Sequence, residues 1–257
     1  MLSQDFFNDE FLEQRVDTFY GYGNYQGSYW FIGMEEGGGE DFQDINNRIN
    51  IWSNRGNHEI EDIAEYHESI GYGASFKPGA KLDVPVWRTL IRIILSAKGN
   101  DNIDLEDIRK YQIEKLGRKD KETCLLELFP LPSPSRKYWI YNEFSQLPFL
   151  STRQTYEDYC VETRINHIRQ RIQEHKPKAV VFYGRVFKYF WRKITENITN
   201  IEFTKPSESS KEDFFISRNN QTLFVMAKFP RALPNEYFHN IGRAILNRNT
   251  FHRFNNF

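Results

Sequence analysis

Tyr29-Trp-Phe-Ile-Gly-Met-Glu-Glu-Gly-Gly-Gly-Glu40 is the stretch on which the fold of this chain turns. Tyr29 to Met34 is bulky and β-prone, and a glycine cluster stops it, so it reads as a short buried strand. Gly33, Gly37, Gly38 and Gly39 let the chain turn and let a ligand approach the backbone. Glu35 and Glu36 thus sit where the carboxyl end of a strand opens into a loop, the usual ligand crevice of an open α/β sheet. The plainer alternative is a glycine turn with solvated carboxylates.

Outward from this strand, apolar runs and amphipathic stretches alternate. An N-terminal helix is expected over residues 3–16, followed by the loop Tyr20-Gly-Tyr-Gly-Asn-Tyr-Gln-Gly. Residues 41–70 read as a polar helical excursion carrying Phe42, Ile45, Ile49, Trp52, Ile60, Ile63 and Tyr66, within an insertion bounded at 41–75. Val84 to Ala97 places Trp87, Leu90, Ile91, Ile94 and Leu95 at helical core spacing. Glu122 to Phe129 is a second strand, ended by Pro130-Leu-Pro-Ser-Pro-Ser135. A helix over Tyr156 to His175 stops at Lys176-Pro177, and Ala179 to Tyr183 is a third strand. A helix over Val186 to Thr195, strand and loop over 201–218, a strand over Thr222 to Ala227 and a helix over Asn235 to Leu246 complete the pattern. Strands separated by helices predict an α/β/α sandwich of three layers around a mostly parallel sheet of four or five strands. No repeat or low-complexity linker divides residues 1–257, so one domain is expected.

The composition is that of a soluble protein: 257 residues, 27% charged and 16% aromatic, with a mean hydropathy of -0.67. No apolar run approaches the roughly 20 residues that span a bilayer, and no signal peptide is read at the start, so the cytoplasm is the expected compartment. Cys124 and Cys160 are isolated, which implies neither a disulfide framework nor a metal cluster. His58, His67, His167, His175, His239 and His252 show no metal-ligand pairing. The net charge of -1 hides an asymmetry: residues 176–257 carry fourteen Lys and Arg against six Asp and Glu. A basic half on a near-neutral chain is an electrostatic footprint for a polyanion, although solvated helix faces give similar counts.

Five segments, in order, resemble the uracil-DNA glycosylase superfamily over roughly residues 29–247. Gly33-Met34-Glu35-Glu36-Gly37 resembles its first motif, one version of which reads Gly-Met-Asn-Pro-Gly. Phe76, eleven residues ahead of Trp87-Arg88-Thr89-Leu90, resembles a stacking Phe placed before a helix start. Leu125-Leu126-Glu127-Leu128 is similar to the strand that reads the flipped base, with Glu127 in the place of an Asn. Lys176-Pro-Lys-Ala-Val-Val-Phe-Tyr-Gly184 resembles a strand written Lys-Pro, apolar run, Gly. Phe229-Pro-Arg-Ala-Leu233 resembles the His-Pro-Ser-Ala-Leu motif of the DNA-inserting loop.

The resemblance implies a monofunctional DNA glycosylase that needs no metal or organic cofactor, works as a monomer on single- or double-stranded DNA, and leaves an abasic site. It implies Glu35 and Glu36 as catalytic positions. Met34, Phe76, Glu127 and Phe229 would contact the base. Arg231 would be the minor-groove arginine or a phosphate contact and Leu233 the wedge that fills the vacated stack, unless Leu233 is plain core. Apart from the resemblance, Ser133, Ser135, Arg136 and Lys137 form a Pro/Ser/basic loop suited to DNA phosphate contact or to a simple surface turn. Such an enzyme withdraws its nucleotide from the stack and reads it in a pocket. A carboxylate beneath the sugar then stabilises an oxocarbenium-like centre and orients water. No lysine stands at a matched position to support a lyase step. Glu36, which replaces a proline, also has a structural reading, holding the loop by binding a neighbour such as Arg88.

Two departures refine the expectation. Glu127 in place of Asn can accept from the amino group of cytosine and, when protonated, donate to cytosine N3, which points to a modified cytosine rather than uracil. Some superfamily members in prokaryotic antiviral defence remove modified cytosines from phage DNA, and the chain is compatible with that subgroup. Phe229 stands where the motif has its base-stabilising His. The alternative is therefore a catalytically silent DNA-binding or sensor protein. A metal-dependent phosphodiesterase built on Glu35, Glu36 and Glu40 is a third reading, but no second Asp/His cluster accompanies it. The two cysteines exclude the four-Cys iron–sulfur arrangement of some branches.

Overall fold

A computed structural model describes residues 6–199, 201–206 and 213–247. Seven strands form one mixed sheet: β1 (Gly21–Gly23), β2 (Tyr29–Glu35), β3 (Ile60–Glu61), β4 (Thr123–Phe129), β5 (Ala179–Tyr183), β6 (Phe215–Arg218) and β7 (Leu223–Ala227). The order across the sheet is β3-β1-β4-β2-β5-β7-β6. Its centre, β4-β2-β5-β7, is parallel throughout, whereas β1 against β4 and β6 against β7 run antiparallel. The helices are α1 (Asp9–Thr18), α2 (Phe42–Asn54), α3 (Ile63–Ser69), α4 (Pro85–Ala97), α5 (Leu105–Glu114), α6 (Tyr141–Phe144), α7 (Arg153–His175), α8 (Lys188–Thr195) and α9 (Asn235–Leu246).

Strand alternation builds the two cores. On β2, Tyr29 and Phe31 join α3, α4, α5 and α9 on one face of the sheet. Trp30, Ile32 and Met34 join α1, α7 and α8 on the other. Apolar side chains on both sides of a strand require cover on both sides, so helices lie on both faces. Among the described residues, no helix is long and apolar enough to cross a membrane.

The expected sheet of four or five strands is too small. β1 was read as part of a loop because Gly-Tyr-Gly lacks strand propensity. Yet its glycines are what admit it: a Cβ on Gly21 would lie 2.0 Å from the Leu125 carbonyl oxygen, and one on Gly23 2.2 Å from that of Thr123. The stretch 41–70 likewise contains β3, paired in parallel with β1, rather than helix alone. Helix α5 has no counterpart among the expected elements; Asp104 and Asp107 form a capping box at its start. The expected N-terminal helix begins later, at Asp9, and ends at Thr18. Residues 3–5 of that expectation, and His252, lie outside the described residues.

In the parallel centre, the first strand is β2; the chain moves to one side for β4 and to the other for β5 and β7. The reversal falls between β2 and β5. Crossovers leaving in opposite directions part the loops there and open a crevice at the carboxyl ends of the strands.

Candidate active site

A cavity of about 610 Å³ opens at that crevice, within the range of small-molecule sites. Its floor is a row across three adjacent strands. Gly33 on β2 is in register with Glu127 on β4, and Tyr183 reaches over from β5 to donate its hydroxyl hydrogen to Glu127 Oε1 at 2.9 Å. Gly33 makes this arrangement possible, because a Cβ there would fall 2.3 Å from the Tyr183 hydroxyl and 2.5 Å from Glu127 Oε2. The second carboxylate oxygen, Oε2, is buried without a hydrogen-bond partner in the protein. Burial raises Glu127 to about 8, with the nearby Glu36 and Glu35 adding to the rise and the Tyr183 hydrogen bond only partly opposing it. Glu127 is therefore mainly a neutral carboxylic acid at pH 7, with one acceptor oxygen and one O–H donor.

Glu35 lies two residues beyond Gly33 on the same strand face, so its Cα stands about 8 Å from that of Glu127, from strand rise and spacing. Arg153, the first residue of α7, binds Glu35 Oε2 at 2.5 Å. The same guanidinium donates to Ser133 Oγ at 2.7 Å and to the carbonyls of Ser135 and Tyr138 at 3.1 and 2.8 Å. Arg153 thus fixes the carboxylate and the Pro/Ser loop together. Burial nevertheless raises the Glu35 carboxyl above its ordinary value, against the pull of Arg153.

Glu36 does something different. Tyr22 and Arg48 donate to its Oε1 at 2.9 and 3.1 Å, and the fully buried Arg15 stands 3.7 Å from Oε2. Its carbonyl also accepts from Ser133 N–H at 3.0 Å. Although Glu36 borders the cavity, these contacts make it a loop anchor rather than a catalytic group. Its partners are Arg48 and Arg15, not Arg88.

Of three further expected residues, Met34 does border the cavity, whereas Phe76 and Leu233 do not. The Met34 side chain belongs to the core on the opposite face, because alternation sends it away from Gly33 and Glu35. Phe76 stands a layer behind the wall, its ring 5.2 Å from Trp87 and 5.6 Å from His67, and those two residues line the cavity instead. Leu233 is half-buried and packs against the core, so it is not a free wedge. Phe229 does line the cavity, half-exposed, with its ring 6.2 Å from Tyr183. Ser133, Ser135 and Arg136 line it as well; Arg136 pairs with Glu157 at 2.7 Å and lies over the Phe187 ring. Lys137 and Arg231 are exposed outside the lining.

Arg153, Tyr183 and His67 were missed by sequence reasoning. Tyr183 had a usable signal, a polar-tipped residue ending an apolar strand beside a glycine. Arg153 had none, being 118 residues from Glu35 in sequence. His67 donates Nδ1–H to the Ile63 carbonyl at 2.7 Å, and burial lowers its pKa, so it lines the cavity as a neutral ring. Glu40 is exposed and does not converge with Glu35 and Glu36. Among the described residues, no group of three or more His, Cys, Asp or Glu side chains is arranged to hold a metal ion. Compared with protein-family models and with curated proteins, the sequence matches none.

Proposed function

We propose that the protein is a monofunctional DNA glycosylase that draws a cytosine-type base into this cavity and hydrolyses its N-glycosidic bond. The observation that carries the reading is the pairing of two unlike acids on one sheet face: Glu35, clamped by Arg153, and the neutral Glu127, braced by Tyr183. A neutral carboxylic acid complements a cytosine edge in two contacts. Oε2–H donates to N3, and Oε1 accepts from the amino group. Uracil, with a donor at N3 and an acceptor at O4, opposes both contacts while the proton sits on Oε2, and is matched only if the proton moves to Oε1, the oxygen that already accepts from Tyr183.

The chemistry balances with these groups. As the bond from C1′ to the base breaks, ionised Glu35 stabilises the sugar cation and orients a water molecule. The water oxygen bonds to C1′ and its proton passes to solvent. The departing base takes the Glu127 proton at N3 and leaves neutral, and Glu127 is reprotonated from solvent. Leaving-group stabilisation thus moves to Glu127, which accounts for Phe229 standing where the resembled motif has His. The two acids need opposite states, so activity has a window between the raised Glu35 pKa and about 8. The reading is of a monomer acting on cytoplasmic DNA without metal or organic cofactor, and a role against modified phage DNA fits the same substrate.

A catalytically silent DNA-binding protein is the second reading, favoured by the apolar Phe229 at the cavity. Mass spectrometry of bases released from DNAs carrying different modified cytosines, uracil or unmodified bases separates the two. Release of a cytosine-derived base in preference to uracil is expected. DNA binding without release of any base would support the silent reading, and preferential uracil release would remove the role given to Glu127.

A further inference from the structure

The turn after β5 is the most apolar projection beside the cavity. Val186 is 85% exposed, more than any other large hydrophobic side chain among the described residues, and Tyr189 is 63% exposed. Their neighbour Phe187 lines the cavity. Gly184, in the left-handed region at φ 93°, reverses the chain directly after Tyr183 and so turns this segment back along the rim.

The loops around it are fixed beside it. The β5–β7 ladder continues into a hydrogen bond from Gly184 N–H to the Ala227 carbonyl at 3.1 Å, so the turns leaving β5 and β7 stand side by side. Asp213 ties them together, bonded to Arg185 of one and, at 2.5 Å, to Lys228 of the other. On the remaining side the Arg136 guanidinium, 5.4 Å from the Phe187 ring, brings in the Pro/Ser loop. The result is a rim in which Phe187 and the half-exposed Phe229 line the cavity, and Val186, next to Phe187 in the chain, is exposed to solvent. Lys188, Lys137 and Arg231 are exposed in the same three turns and make no ion pair with a described residue.

An exposed apolar tip beside a cavity, set among unpaired cations, matches one kind of partner: a polyanion that must give up one stacked base. We propose that the 185–189 turn engages DNA, with Val186 entering the space that the withdrawn nucleotide leaves in the base stack and Lys188 binding an adjacent phosphate. The inference rests on the glycosylase reading, and it moves the wedge from Leu233, whose side chain is engaged with the core, to a side chain that is free. The energetic logic is that of other inserted apolar residues: the cost of unstacking is offset by apolar contact within the stack.

The test uses a fluorescein-labelled duplex with one central tetrahydrofuran abasic analogue beside 2-aminopurine, and the same duplex with no gap. The wild type should prefer the gapped duplex and raise the 2-aminopurine emission, because an aliphatic side chain in the gap keeps the neighbouring base from stacking on it. Val186→Ala should lower that preference about tenfold, the scale of burying part of one apolar side chain, and lose the rise in emission. Its affinity for the intact duplex and its thermal midpoint should not change. Lys188→Ala should weaken both duplexes alike and reduce the salt slope by about one ion. Retention of the preference and of the emission rise in Val186→Ala would overturn the proposal. So would equal wild-type binding of the two duplexes, which would leave the glycosylase reading standing. Binding of neither duplex would also overturn the wedge, and base release from single-stranded DNA would then decide the glycosylase reading.

Discussion

At the scale of single residues, Glu127 has the most distinctive chemistry. Its pKa in the folded protein, about 8, lies above its ordinary value of 4.5. Its contribution to stability is therefore fully present below 4.5 and is lost as the pH rises through about 8, because the unfolded chain ionises first. Glu127→Gln keeps the uncharged shape and removes that loss. Thermal unfolding at about pH 5 and about pH 9 should show the variant gaining on the wild type at the higher pH. A difference independent of pH would mean that Glu127 is ionised throughout, and the donor role at cytosine N3 would fall with it. Glu35 and Glu127 were legible in the sequence because each interrupts or ends an apolar run. The layer of a side chain was not. Phe76 and Leu233 have the composition of contact residues, and only packing places the first behind Trp87 and the second against the core.

At the scale of elements, the site depends on what β2 lacks. Gly33 has no side chain at the one point where Tyr183 and Glu127 converge from the flanking strands. Gly33→Ala should force the Tyr183 ring and the Glu127 carboxylate apart, and rigid ring and strand leave little room to adjust. A loss of about 1–3 kcal/mol in urea unfolding is expected, the usual range for an overpacked site, together with weakened substrate binding. A variant as stable as the wild type, with the bond from Tyr183 to Glu127 intact in its structure, would contradict this. The main strands were legible from their apolar runs, and so were the long helices. What escaped was Gly-Tyr-Gly, where the features that argue against a strand are those that let the backbone approach β4.

At the scale of the whole molecule, perturbed groups occur at both ends of the sheet, and only one end has the cavity. Glu59 accepts from His167 and Tyr25, each at 2.6 Å, and from Arg171. Burial would raise its pKa, but these hydrogen bonds together hold it at about 2. That cluster staples α7 to the edge of the sheet and lines no part of the cavity. The cavity instead lies where the crossovers diverge, and there the three carboxylates have separate tasks: Glu36 anchors the loop, Glu127 stays neutral and Glu35 is clamped but chargeable. The position of the crevice was legible from the apolar strand that ends in the glycine turn. The clamp was not, because α7 reaches Glu35 only through the tertiary fold. The most direct test is abasic-site formation in modified-cytosine DNA by the wild type and by Glu35→Gln, with DNA affinity measured in parallel. Glu35→Gln is expected to bind DNA as the wild type does and to lose base release by about 100-fold or more, the scale of removing one electrostatic catalytic group. Wild-type rates of release in Glu35→Gln would contradict it.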